Sequence, residues 1–168
     1  MQFIYLSILR FSTFFCFLLL LSCQAKENSN QNKTDVKNPD LATQLVGEWR
    51  NVSMSVEIQG DSLTVFEANE KNWEEKLRIK VIQTFFRPDK TYNSPHYTLS
   101  DSLFLDLKGT WAIDGDNLTM YQELPAKDTT VCKLSIKDGL AHFDCMVDWD
   151  SDGRKDDQYL GVQRKVVQ

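Results

Sequence analysis

Apolar positions along this chain fall into two regimes. From Phe11 to Leu21 they form one almost unbroken run without a charge. From residue 40 onward they come instead in short runs, alternating with polar residues and broken by Gly, Asp, Asn and Pro. Period-two alternation marks a strand with one dry and one wet face. Ser55-Val56-Glu57-Ile58 approaches a turn at Gln59-Gly60-Asp61-Ser62, and Leu63-Thr64-Val65 resumes the pattern. Leu77, Ile79 and Val81 alternate with Arg78 and Lys80, which predicts a strand there. Leu103, Leu105 and Leu107 alternate with Phe104, Asp106 and Lys108. Arg87-Pro88-Asp89-Lys90 reads as a turn, and Asp114-Gly115-Asp116-Asn117 as the tip of a hairpin from Trp111-Ala112-Ile113 to Leu118-Thr119-Met120. Helical signals are confined to one turn over Pro39 to Leu45, capped by Asn38 or Asp40. Turn signals recur about every 10–15 residues, so the expected fold class is all-β. It is an antiparallel up-and-down meander of about eight or nine strands, enough to close as a barrel.

One hairpin is legible residue by residue. Asp138-Gly139 is a strong type I′ turn signal. With those two at the tip, Lys137 opposes Leu140, Ile136 opposes Ala141, Leu134 opposes Phe143, and Cys132 opposes Cys145. Ser135 with His142 and Lys133 with Asp144 share the other face. A three-residue loop would set Leu134 against His142 and Cys132 against Asp144, mixing dry and wet sides, and one slip reverses every side chain. The expectation is a cross-strand disulfide, Cys132 to Cys145, on the inward face.

The other two cysteines, Cys16 and Cys23, lie at the amino-terminal end. Residues 1–22 have the length and polarity of a secretory signal: a short basic start, then an apolar run too short to span a bilayer. Leu20-Leu21-Ser22-Cys23 resembles the lipobox of bacterial lipoproteins, which implies cleavage before Cys23 and lipid on its thiol. By the same resemblance the destination is the cell envelope, at the outer membrane, with membrane contact through the lipid. Residues 23–39 hold almost no apolar side chain and read as a disordered tether. The folded domain is expected over 40–168.

The chain carries 19 basic and 24 acidic residues, a formal charge of −5, and residues 1–22 contribute one Arg and no acid. The exported part is therefore one unit more negative, which excludes a nucleic-acid partner and electrostatic adhesion to anionic lipid. An oxidising compartment suits the disulfide.

Gly47-Glu48-Trp49, entering the first strand after a helical turn, resembles the Gly-x-Trp signature of lipocalins. The stretch from Gly109 to Thr119 is similar to a hairpin of bacterial lipocalin-like lipoproteins. The resemblance covers roughly 41–168 and implies a barrel whose base is closed by Gly47, Trp49 and an Arg near the last strand. Arg164 fits that role, with Lys165 as the fallback, because a guanidinium can stack on indole.

Two features carry candidate chemistry. In Asp148-Trp149-Asp150-Ser151-Asp152-Gly153-Arg154-Lys155-Asp156, the acids Asp148, Asp150, Asp152 and Asp156 with Gly153 match the first nine positions of an EF-hand-type loop. Calcium is the cofactor implied. Position twelve is Tyr159 instead of Glu, Asp157 could contribute only by another loop path, and a plain hairpin loop is the alternative. Within the barrel, Leu105, Leu107, Trp111, Leu118 and Met120 are expected to face inward and either line a ligand cavity or fill a solid core. His96 reads as a loop residue and His142 as an exposed one, so no catalytic arrangement emerges and the expectation is no enzyme. The leading reading is a lipid-anchored protein binding a small apolar ligand. The alternative is an interaction module with a solid core, docking on an envelope protein.

Overall fold

A computed structural model of the chain describes residues 40–167. The expected signal segment 1–22, the expected lipid acceptor Cys23 and the tether expected to residue 39 lie outside the described residues.

The chain opens with α1 (Leu41–Leu45), whose cap is Asp40: its carboxylate accepts the Thr43 N–H at 2.7 Å. Nine strands follow, β1 (Gly47–Ile58), β2 (Thr64–Asn69), β3 (Gln83–Phe86), β4 (Thr91–Tyr97), β5 (Leu103–Asp114), β6 (Asn117–Leu124), β7 (Asp128–Lys137), β8 (Leu140–Val147) and β9 (Asp157–Lys165). A single-turn helix, α2 (Trp73–Leu77), lies between β2 and β3. All pairings are antiparallel, and β9 returns to pair with β1, which closes the sheet. β1 holds β9 along one edge. Its other edge is divided, with Gly47–Arg50 against β3 and Ser53–Ile58 against β2. The result is an eight-stranded barrel of β1 and β3–β9 with β2 as an extra strand.

The division of β1 leaves a gap in the wall, which α2 and residues 78–82 seal. The strand expected at Leu77, Ile79 and Val81 does not form. Trp73 and Leu77 are four apart and turn one helical face inward, Arg78 ends the turn in a left-handed conformation (φ 59°), and only Ile79 bridges, to Thr98. Spacing by four overrides the alternation because burying the Trp73 indole removes more apolar surface than one short edge strand would.

The 132–145 hairpin has the expected register at every pair, with Asp138 and Gly139 both at positive φ. Cys132 and Cys145 are bonded and buried, with Cα atoms 4.3 Å apart. Inward residues form two packed clusters, one at the α1 end and one under α2.

Candidate functional site

The α1 end of the barrel is solid. Leu45, Trp49, Trp111 and Leu118 are each no more than 2 % exposed, and burying a large apolar side chain contributes about 1.5–3 kcal/mol. Trp49 Nε1 donates to the Leu45 carbonyl at 2.7 Å, which satisfies the indole and ends α1. Directly opposite Trp49 on β9 is Lys165, whose Nζ lies 5.3 Å from the Trp49 ring and donates to the Gln44 carbonyl at 2.6 Å. Burial lowers the Lys165 pKa. A second cation, Lys90, sits 3.9 Å from the Trp111 ring centroid, and the Trp111 indole N–H donates to the Thr91 carbonyl.

Above this base the interior opens into a cavity of about 270 Å³. Its apolar wall includes Phe86, Leu107, Met120, Phe143 and Val147, with the Cys132–Cys145 disulfide among them. A second chamber of about 300 Å³ lies beside α2 and shares Thr84, Ser94, Tyr159 and Gln163 with the first. Its own walls include Asn51, Met54, Trp73, Leu77 and His96. Thr84 and Ser94 place their hydroxyls 3.1 Å apart, and the Gln163 amide donates to Asn51 Oδ1 at 3.1 Å. Burial pushes the Tyr159 hydroxyl up to about 12, only partly offset by its hydrogen bond with Asn51, so it stays neutral at physiological pH. Burial lowers the His96 pKa against the opposing pull of Asp106.

The mouth is aromatic. Trp149, 39 % exposed on the β8–β9 loop, stacks on Phe66 of β2 at 6.1 Å and on Tyr159 at 6.5 Å. Asp157 anchors that loop. Its buried carboxylate accepts Gln59 N–H at 2.8 Å and Trp149 N–H at 2.7 Å, and these bonds, the Gln59 one foremost, lower its pKa.

A closed eight-stranded barrel with a Gly-x-Trp base and an interior cavity is now in view. The family model of the lipocalin-like domain matches residues 45–138, more than half of the chain. The chain belongs to the lipocalin-like domain family. No curated protein matches it.

In this lipocalin-like barrel the residues named from sequence separate by depth. Leu107 and Met120 line the cavity. Trp111 and Leu118 face inward but are packed into the base, the solid-core alternative, and half-buried Leu105 lies outside both chamber linings. Gly47 and Trp49 hold the base; Arg164 does not. It points outward and forms a bidentate pair with Glu70 at 2.7 and 3.2 Å, because alternation along β9 turns Gly161, Gln163 and Lys165 inward and residue 164 away.

The Asp-rich loop of the lipocalin-like domain regroups its acids. Asp152 accepts from the Arg154 backbone and pairs with its guanidinium, and Asp156 lies 3.6 Å from the same group. Asp157 takes their place, and oxygens of Asp148, Asp150 and Asp157 lie within 4.8 Å of one another. The four-acid EF-hand set is therefore replaced by three, since the loop doubles back to start β9 at Asp157. Asp148 Oδ2 accepts Gly153 N–H, while its Oδ1 is buried with no partner. His96 belongs to β4 and lines the second chamber, contrary to the expected loop; His142 is exposed opposite Ser135.

Several lining residues escaped the sequence reading. Tyr159 and Gln163 were findable, because alternation from Gly161 sets them on one face. Trp73, Thr84 and Ser94 were not, since their inward direction depends on how the gap beside β1 is sealed.

Proposed function

We propose that this lipocalin-like domain binds one small, largely apolar molecule in its barrel, as an exported protein held at the cell envelope by lipid on Cys23. The ligand half rests on the cavity. Its apolar wall sits above a packed base, and a void of this size forfeits dispersion contacts that a guest would restore. The same void weighs against a solid-core module docking on an envelope protein. The membrane half rests on the lipobox-like Leu20-Leu21-Ser22-Cys23, and the outer membrane is the destination that resemblance implies.

Native mass spectrometry of the mature protein, purified gently from its own host, tests the first half. An added mass of a few hundred daltons, lost on unfolding, is expected; a bare mass for intact, disulfide-bonded protein defeats it. For the second half, Cys23→Ala should release the protein from membranes or leave a precursor, and unchanged attachment would refute lipidation.

A second role is proposed for the β8–β9 loop: weak binding of a hard cation, calcium by carboxylate chemistry. The buried, unpartnered Asp148 Oδ1 beside Asp150 and Asp157 favours it. Calcium should then raise the melting temperature and Asp150→Asn should abolish the rise. No rise in the parent removes the proposal.

A further inference from the structure

One stretch of the barrel wall runs on past its neighbours. β5 pairs with β6 only from Lys108 onward, and β3 reaches β4 only at Tyr92 and Asn93. Beyond those levels β4 and β5 continue as a two-stranded hairpin, from Ser94 opposite Leu107 to Tyr97 opposite Leu103. Residues 79 and 80 brace one side, where Ile79 bridges Thr98 and the Lys80 N–H donates to the Tyr97 carbonyl. The tip is apolar: Tyr97, Leu99, Leu103 and Phe104 are 37–53 % exposed. It lies at the end opposite α1. Among the described residues, the turns at the α1 end, over 87–90, 114–117 and 137–140, carry no exposed large apolar side chain. The Phe104 ring stands edge-on to His96 at 6.1 Å, and His96 lines the second chamber, so the hairpin borders the cavity.

The tip is also electrically quiet. Its acid, Asp101, pairs with Lys80, and below it Asp106 pairs with Lys108. The β8–β9 loop at the same end holds Asp148, Asp150, Asp152 and Asp156 against Arg154 and Lys155. An anionic surface is therefore repelled, whereas an uncharged one with a polar edge suits a tyrosine and leucines interspersed with Thr98, Ser100 and Ser102. Size separates a membrane from a protein partner. Half-exposed side chains of about 200 Å² each give the tip roughly 400 Å². That is about half of what one partner contributes to a stable protein interface. A bilayer that already holds the protein needs no such area. Lipid on Cys23 supplies that hold in the reading above. The domain begins at Asp40, at the α1 end. Residues 23–39 reach at most roughly 60 Å, against about 40 Å for the length of β5. The mouth can therefore turn to the bilayer, and the anchor makes a weak second contact effectively intramolecular.

We propose that the tip of the β4–β5 hairpin is a membrane-contact site. Tyr97, Leu99, Leu103 and Phe104 enter the head-group boundary of zwitterionic lipid and set the cavity mouth against the bilayer. This rests on the lipid-anchor half of the proposed function and adds a noncovalent contact to it.

Mature Leu99→Trp protein, purified from its own host and reconstituted on phosphatidylcholine vesicles, tests the proposal. Lipids brominated along their acyl chains should quench it more than the parent, whose own Trp residues set the background, and iodide should quench the added indole weakly. Adding Leu103→Asp and Phe104→Asp should lower the inserted-to-free ratio at least about tenfold, with the protein still on the vesicles. Where melts show that the double change unfolds the domain, Leu103→Asp alone decides by the same readout. An attached protein whose added indole is open to iodide overturns the proposal and leaves the anchor standing. Quenching seen only on phosphatidylglycerol vesicles overturns it too, because charge then drives the contact. An indole shielded in native envelopes but open on protein-free vesicles assigns the tip to an envelope protein and likewise overturns it. Protein that neither attaches to vesicles nor carries acyl mass on Cys23 defeats the anchor reading, and this proposal falls with it.

Discussion

The ring of Tyr159 lies over Gly161. A Cβ built on Gly161 would stand 2.5 Å from the Tyr159 ring and hydroxyl, closer than any real contact. The two residues share the inward face of β9, and the missing side chain of one is the seat of the other. Gly161→Ala should force the ring toward the cavity or the mouth stack. The expected loss is about 1–3 kcal/mol of stability, as for overpacking of a filled core, together with weaker ligand binding. Denaturant melts and the ligand mass retained in native mass spectra measure both; an unchanged variant would mean that the ring moves freely.

Lys165 and Arg164 offer a direct contrast. Lys165 lies over the Trp49 ring and donates to the Gln44 carbonyl of α1 from within, whereas Arg164 pairs with Glu70 in the open. Lys165→Met should cost about 1–2 kcal/mol, from a partly desolvated cation–π contact and a lost cap. Arg164→Ala should cost about 0–1 kcal/mol, the usual worth of an exposed pair, and less in high salt. Equal losses in urea melts would contradict the assignment of the base.

The disulfide closes a short loop, with thirteen positions separating Cys132 from Cys145. Removing it through Cys132→Ala/Cys145→Ala should cost about 2–4 kcal/mol. It should also loosen the wall of the first chamber. In the parent, both thiols should resist alkylation until reductant is added.

His96 gives the fold a mild acid sensitivity. Its folded pKa lies below the ordinary value of 6.5, with burial the larger influence and Asp106 opposing it. The unfolded chain therefore binds the proton first, and stability is lost as pH falls from about 6.5 through the lower folded value. Asp157 acts in a separate window. Its lowered pKa contributes stability above the ordinary 3.8 that is lost at more acid pH. His96→Gln should flatten the melting temperature as pH falls below about 6.5, without altering the later fall in the carboxylate range. An unchanged slope in the upper window would exclude His96 as its source.

What could be read from the chain alone was what neighbours in sequence decide. The 132–145 hairpin was legible to the residue, because a two-residue turn and strict alternation leave one register that keeps Leu134 and Phe143 on the dry face. The Asp40 cap, the Arg87–Lys90 turn and the Gly-x-Trp base are likewise local. Alternation also tells which face a residue occupies: Leu105, Leu107, Trp111, Leu118 and Met120 all point inward or toward the interior. It does not tell depth. Trp111 and Leu118 ended in the base while Leu107 and Met120 line the cavity, because strand tilt and closure of β9 on β1 set height along the barrel. The Asp-rich loop matched a calcium motif in spacing, yet Arg154 drew away Asp152 and Asp156, and Asp157 joined Asp148 and Asp150 only when β9 folded back on β8 with Asp157 opposite Val147. The second chamber is the plainest case. Trp73 and Gln163 stand ninety positions apart, on a helical turn and on the last strand, and only barrel closure brings both to the wall of one chamber. Period and turn chemistry are short-range and therefore written in sequence; depth, gap-filling and the meeting of distant polar groups are set by packing the whole.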